Sequence, residues 1–192
     1  MKKVNFLPIF MLCFLISFAA FAQGPEHSPK LDKEKGFNAL KIGAKLSVVK
    51  SILQKDTLPK NNSWEPNEGM EGITEIYLVD LTKPGYKTFQ GKEVARIEVY
   101  ISPYFGEDEA PIVWQVKIFF KKISEKDCDD FFAKMFTAYG NASLVMDTPR
   151  TGDEIITWYS EDVLMNATSF YNGMEDPKDT YFVVQFSSAK GG

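Results

Sequence analysis

Apolar and polar positions alternate with two different periods along this chain, and the switches between them mark out its elements. In LKIGAKLSVVKSIL, Leu46, Val49 and Leu53 recur at helical spacing, and Val48 and Ile52 widen the stripe. Gly43 precedes the stripe and Pro59 lies beyond it, so a short amphipathic helix is predicted over about 46–54. A polar loop, PKNNSWEPNEGMEG, follows. Three strand-like segments come next. ITEIYLVDL (73–81) is rich in β-branched and aromatic residues. VARIEVYIS (94–102) alternates, with Ala95, Ile97, Val99 and Ile101 on one side and Arg96, Glu98 and Tyr100 on the other. IVWQVKIFFKK (112–122) sets Ile112, Trp114, Val116, Ile118 and Phe120 against Gln115, Lys117 and Lys121.

The period then returns to 3.6. Cys128, Phe131, Phe132, Met135, Phe136 and Tyr139 form one stripe, the strongest helix signal in the chain. Ser124 suits the N-cap, with Asp127 three residues on. Asp127, Asp129 and Asp130 sit where a helix dipole favours negative charge, and Gly140 supplies the stop. Three more strands are predicted at 154–161, 163–171 and 180–188, the last presenting Phe182, Val184 and Phe186 on one side and Gln185 opposite. The order helix, three strands, helix, three strands predicts an α+β fold. Its two α-β-β-β units, about 44–122 and 124–188, would form one antiparallel sheet with the helices on one face.

The ends carry a different pattern. Lys2 and Lys3 precede an apolar run from Phe6 to about Ala20, and Ala20 and Ala22 place small residues before Gln23. This is the layout of a secretory signal peptide over 1–22, cleaved before Gln23. Cys13 lies inside the apolar run after Met11 and Leu12, which argues against a lipoprotein. Residues 23–36 are polar and rich in Pro and Gly and read as a flexible leader, so the domain is expected over 37–188, with 189–192 as a tail. The expected location is periplasmic or secreted.

Charge and composition narrow the chemistry. A net charge of −4 over 192 residues without a basic cluster argues against nucleic acid as a partner. The single histidine, His27, falls in the leader, so no imidazole is expected beside Cys128 or any serine. One cysteine and no histidine in the predicted domain leave no zinc site, and neither a phosphate-cradling glycine loop nor an EF-hand pattern is present. No catalytic residue, metal or cofactor is therefore assigned. Cys128, among acids and in phase with the Phe stripe, reads as a small core residue.

Two groups of loop residues are candidates for binding. The first is aromatic: Trp64, Tyr104, Phe105 and Tyr171. The second is acidic: Glu107, Asp108 and Glu109 in one loop, and Glu175, Asp176 and Asp179 in another. Paired carboxylates are the one catalytic option left, since they alone run glycoside hydrolysis; weak calcium binding is the other use of such a cluster.

Ile42, Gly43, Val49 and Leu53 give the pattern xIGxxxxxVxxxL, and Phe132, Tyr139, Gly140 and Trp158 follow it in shape only. With these the chain resembles a recurring exported bacterial module, seen in small outer-membrane-assembly lipoproteins and, in tandem, in the β-lactamase inhibitor protein. The resemblance implies the tandem fold and the binding of other proteins rather than catalysis. The chain departs from it in lacking a lipobox and the inhibitor's disulfides, and no functional residue carries over. The expectation is an exported, non-catalytic protein that binds another macromolecule, most simply a protein or envelope component, through a sheet face and loops. The alternative is a carboxylate-dependent glycan hydrolase or glycan-binding protein.

Overall fold

A computed structural model describes residues 27–57, 75–102, 110–121, 125–147, 154–171 and 180–189. The predicted signal peptide and its cleavage residues Ala20, Ala22 and Gln23 lie outside them.

Structure begins earlier than the pattern predicts. Ser28 caps α1 (Pro29–Glu34), with its side chain accepting from the Leu31 amide and Pro29 in the first turn. Leu31 is fully buried. One leucine in a polar run has no period to read, which is why 23–36 looks like a leader. A small hairpin follows, β1 (Gly36–Phe37) and β2 (Leu40–Lys41).

The helix expected over 46–54 is shorter. It comprises α2 (Leu46–Val49) and a 3-10 turn at Lys50–Ile52, and β3 (Leu53–Thr57) begins directly after. Leu53 pairs with Val79 across the sheet edge, and a helix this short has little stability of its own to oppose that pairing. Only Val49 of the stripe is fully buried; Val48 is 69% exposed.

The remaining elements are β4 (Glu75–Val79), β5 (Thr88–Phe89), β6 (Lys92–Ser102), β7 (Ile112–Phe120), α3 (Glu125–Tyr139), β8 (Leu144–Asp147), β9 (Glu154–Tyr159), β10 (Val163–Tyr171) and β11 (Thr180–Ser188). One nine-stranded sheet runs β3-β4-β6-β7-β11-β10-β9-β8, with β5 added on β6. The strand pairings of this sheet are antiparallel. The fold is α+β, with few helices and one large antiparallel sheet. Strands β3, β5 and β8 are additions to the six that the alternation predicts.

The core lies on one face of this sheet. Cross-strand rows Val99–Val116–Phe186–Met165–Trp158 and Ile97–Ile118–Val184–Ala167–Ile156 line it, and every member is buried. Helix α3 closes it with Cys128, Phe131, Phe132, Met135 and Tyr139. Phe131 and Phe182 meet edge to face with centroids 4.5 Å apart, and Phe120 stands 5.2 Å from Phe131. Phe136, expected in the stripe, is 37% exposed at its margin, although its ring lies 5.6 Å from that of Trp158.

Two bulges alter the predicted faces. Val94 pairs with Phe120 and Arg96 with Phe119, so Ala95 is the extra residue and is exposed rather than inward. On β7, Tyr100 pairs with Gln115 and Ile101 with Val113, which makes Trp114 the extra residue. Val113 is fully buried in its place, and Trp114, expected on the core face, is half-buried. Among the described residues no helix is long and apolar enough to cross a membrane.

Candidate functional site

The buried residues of all three helices, Leu31 of α1, Val49 of α2 and the aromatic stripe of α3, belong to the core on one face. The opposite face is built from the other half of each alternation. Strand register aligns one row across seven strands: Leu78, Glu98, Lys117, Gln185, Asn166, Thr157 and Leu144. Two flanking rows begin Tyr100–Gln115–Ser187 and Arg96–Phe119–Val183.

Several polar members of this face are buried although no described helix packs on it. Glu98 is 7% exposed and Gln115 also 7%. A buried charge needs partners. Glu98 accepts hydrogen bonds from Arg96 Nε at 2.9 Å and from the Tyr100 hydroxyl at 2.8 Å. The two partners sit two residues to either side of Glu98, so all three point to the same face of one strand. Thr157 donates to Asn166 Oδ1 at 2.9 Å. Gln115 Oε1 is the exception, buried without a hydrogen-bond partner.

Cations cover the neighbouring rings. The Arg96 guanidinium carbon lies 3.9 Å from the centroid of Phe119, and Lys117 Nζ lies 4.9 Å from that of Tyr100. Burial, then the negative charge of Glu98 and its hydrogen bond, raises the Tyr100 hydroxyl pKa well above its ordinary value, with Arg96 acting in the other direction. Burial lowers the Lys117 pKa, and Glu98 opposes the shift. The cluster is thus one charged, hydrogen-bonded unit with both signs represented.

A second feature lies on the helix side. A cavity of about 290 Å³ is lined by Glu34, Phe37, Asn38, Gln90 and Tyr139 among others. The Tyr139 hydroxyl donates to Glu34 Oε2 at 3.1 Å, and Lys30 pairs with Glu34 at 3.6 Å. Its principal polar groups satisfy one another, unlike Gln115 on the open face.

Of the residues nominated from sequence, Trp64, Tyr104, Phe105, Glu107, Asp108, Glu109, Glu175, Asp176 and Asp179 lie outside the described residues. Tyr171 is the last residue of β10, paired with Thr180, and its backbone alone is described. His27 bridges Tyr159 through its backbone and is exposed; among the described residues its ring forms no hydrogen bond to Cys128, which is buried in the core. Among the described residues no group of three or more His, Cys, Asp or Glu could hold a metal ion. The cluster around Glu98 was not nominated. Its sequence signal was the polar half of the alternation, Arg96, Glu98 and Tyr100 opposite Gln115 and Lys117, which reads as an ordinary solvent face until the register brings the strands together.

No protein-family model matches this chain, no curated protein matches it, and no solved structure matches it.

Proposed function

We propose that this chain is an exported protein that binds another protein through the open face of its sheet. The observation that carries the reading is the Arg96–Glu98–Tyr100–Lys117–Phe119 cluster, held in a fixed geometry on a face that no described helix covers. Arginine and large aromatic residues dominate the energy of protein interfaces, and they do so best when already ordered. The basic n-region, the apolar run and the Ala20–Ala22 motif support export to the periplasm or beyond.

We also read the domain as two similar units. Each opens with a helix, α2 or α3, and contributes four strands to the sheet path, one more than the alternation suggests. The order β3-β4-β6-β7 followed by β11-β10-β9-β8 supports this reading, because the last strands of the two units pair at the centre. It agrees with the tandem module that the sequence resembles.

The hydrolytic alternative requires two carboxylates about 5–10 Å apart. In the three rows of the open face the described acid is Glu98, and Arg96 and Tyr100 already engage it. Recognition is the better use of this chemistry. The test is capture from an envelope extract by the purified protein, compared with a Tyr100→Ala/Lys117→Ala variant and with Trp64→Ala and Tyr104→Ala. Loss of a specific captured protein in the sheet variant, with an unchanged circular dichroism spectrum, is the expected result. Equal capture by wild type and the sheet variant would overturn the reading.

A further inference from the structure

We propose that the helix-side cavity is a second binding site, separate from the open face, and that it takes one neutral sugar ring. The cavity, about 290 Å³, is lined by three stretches far apart in sequence: the end of α1 with the β1–β2 hairpin, the residues around β5, and the end of α3. Its walls are tied to one another without a ligand. Asn38 Nδ2 donates to the Gly85 carbonyl oxygen at 2.8 Å, the Ala39 amide donates to the Tyr86 hydroxyl at 3.3 Å, and the Tyr139 hydroxyl holds Glu34. A preformed pocket of this size needs little ordering to fill and has room for a ligand of one ring.

Two residues of the lining hold unusual backbone. Lys35, Asn38 and Gln90 are the described residues other than glycine with positive φ, and the last two line the cavity. Asparagine tolerates that conformation readily. Glutamine has no such preference. Gln90 and Gly91, at φ +49° and +81°, form the two-residue turn between β5 and β6, where Asn-Gly or Gly-Gly is the favoured pair. The longer side chain has a use that the turn does not require: it hydrogen-bonds the Tyr139 hydroxyl. That hydroxyl gives its one hydrogen to Glu34, so Gln90 is the donor, and its amide oxygen is left without a partner among the described residues. Asn38 is in the same state, with its nitrogen spent on Gly85 and its oxygen left over.

Two amide oxygens, the Glu34 carboxylate and the Thr88 hydroxyl make this lining rich in acceptors. Acceptors repel phosphate and carboxylate and select a ligand with several O–H donors. A cation is disfavoured for a different reason: Lys41 lines the cavity, and Glu34 is already engaged by Lys30 at 3.6 Å. A sugar ring meets these terms. It carries many hydroxyls and no charge, and its C–H groups suit Phe37 and Phe89, whose rings meet edge to face at 5.2 Å on the lining.

The test is NMR titration of the isotope-labelled protein with D-glucose, D-galactose and D-mannose, each as the free sugar and as its methyl glycoside. D-glucuronate, D-glucosamine and inorganic phosphate serve as comparisons. At least one neutral hexose should give saturable shifts in the millimolar range, confined to the amides around Asn38, Gly85 and Gln90. Preference for the free form marks a free monosaccharide as the ligand, and equal binding of the glycoside marks the end of a glycan chain; the site stands in both cases. Gln90→Asn restores the favoured turn and shortens the amide, so it should hold Tm and weaken binding about fivefold, the scale of one hydrogen bond. Asn38→Gly keeps the left-handed backbone and should weaken binding similarly. The proposal is overturned if no neutral hexose saturates, if the charged analogues bind as well, if the shifts lie elsewhere, or if either variant binds like the wild type. Unchanged affinity in Gln90→Asn with a lowered Tm would make Gln90 a residue that only braces Tyr139.

Discussion

The indole Nε1 of Trp158 donates to the carbonyl oxygen of Gly140 at 2.9 Å. This bond ties the core face of β9 to the point where α3 stops. Gly140 stops it with φ at +83°, and a Cβ built there would meet nothing within 4 Å. Gly140→Ala therefore probes the left-handed backbone alone, and a destabilisation of about 1–2 kcal/mol is expected in urea unfolding. Trp158→Phe keeps a ring in the core but loses the donor and some volume, and should cost about 1–3 kcal/mol. If Gly140→Ala is neutral, backbone strain is not what ends the helix.

Burial rather than charge should hold α1 in place. Leu31 is fully buried, so Leu31→Ala is expected to cost about 2–5 kcal/mol. Lys35 pairs with Asp162 at 2.5 Å, but its side chain is 47% exposed, and Lys35→Gln should cost less than about 1 kcal/mol. The Glu161 amide adds a bond to Asp32 Oδ1, and Ser28 Oγ donates to the Tyr139 carbonyl oxygen at 2.7 Å. Chemical denaturation of the two variants decides the order; a larger loss for Lys35→Gln would reverse this account.

These features show what the sequence could and could not announce. The segments 163–171 and 180–188 became strands with those bounds; in the second, alternation made this legible, because a strand buried on one face repeats its signal at every second residue. The stripe of α3 was legible for the same reason over its fifteen residues. Short elements were not. Strands β3 and β8 and helix α1 have too few residues to show a period, and Leu31 is a single apolar position. Bulges are invisible to a strict alternation, so Ala95 and Trp114 were assigned to the wrong side. The open-face cluster could not be nominated because its members come from two strands, and only register makes Glu98 and Lys117 neighbours.

Cys128 reads the same way in sequence and structure, as a buried residue of the α3 stripe. A thiol in that position reacts only when the helix opens from the sheet. Labelling by a thiol reagent should therefore be slow in native buffer and complete in denaturant. It should also accelerate in Leu31→Ala, whose α1 packs beside α3. Prompt native labelling would count against burial.

Alkaline pH should destabilise the protein through its buried tyrosines. Burial raises the pKa of Tyr139, with the charge of Glu34 and its hydrogen bond adding to the shift and Gln90 opposing it; Tyr86 is raised by burial as well. Tyr100 is raised for the reasons given above. Below the ordinary value of 10.0 both folded and unfolded chains keep these protons, and the contribution is complete. As pH rises past 10.0 the unfolded chain ionises first, so stability falls. Lys117 works in the opposite sense, because its lowered pKa lets the folded state shed a proton before the unfolded state does, but it is one group against three tyrosines. Tm should be flat towards pH 10 and fall above it, and less steeply in a Tyr100→Phe/Tyr139→Phe variant. A variant that tracks the wild-type slope would clear the tyrosines.

Glu98→Gln gives the most discriminating test of the open face. Glu98 raises the Tyr100 pKa and also opposes the lowering of the Lys117 pKa, so neutralising it should move both groups downward. Looser packing would act differently: it relieves burial of both groups, lowering the tyrosine and raising the lysine. NMR titration of the Tyr100 ring and the Lys117 ε-methylene therefore separates loss of charge from loss of packing by direction alone. Tyr100 should still titrate above its ordinary value in the variant, because burial is the largest cause of its shift. Arg96, with a neutral partner in place of an ionic one, should lose order, seen as faster exchange of its Nε–H. If Tyr100 falls while Lys117 rises, Glu98 acts on this face as packing and not as the charge that holds the cluster together.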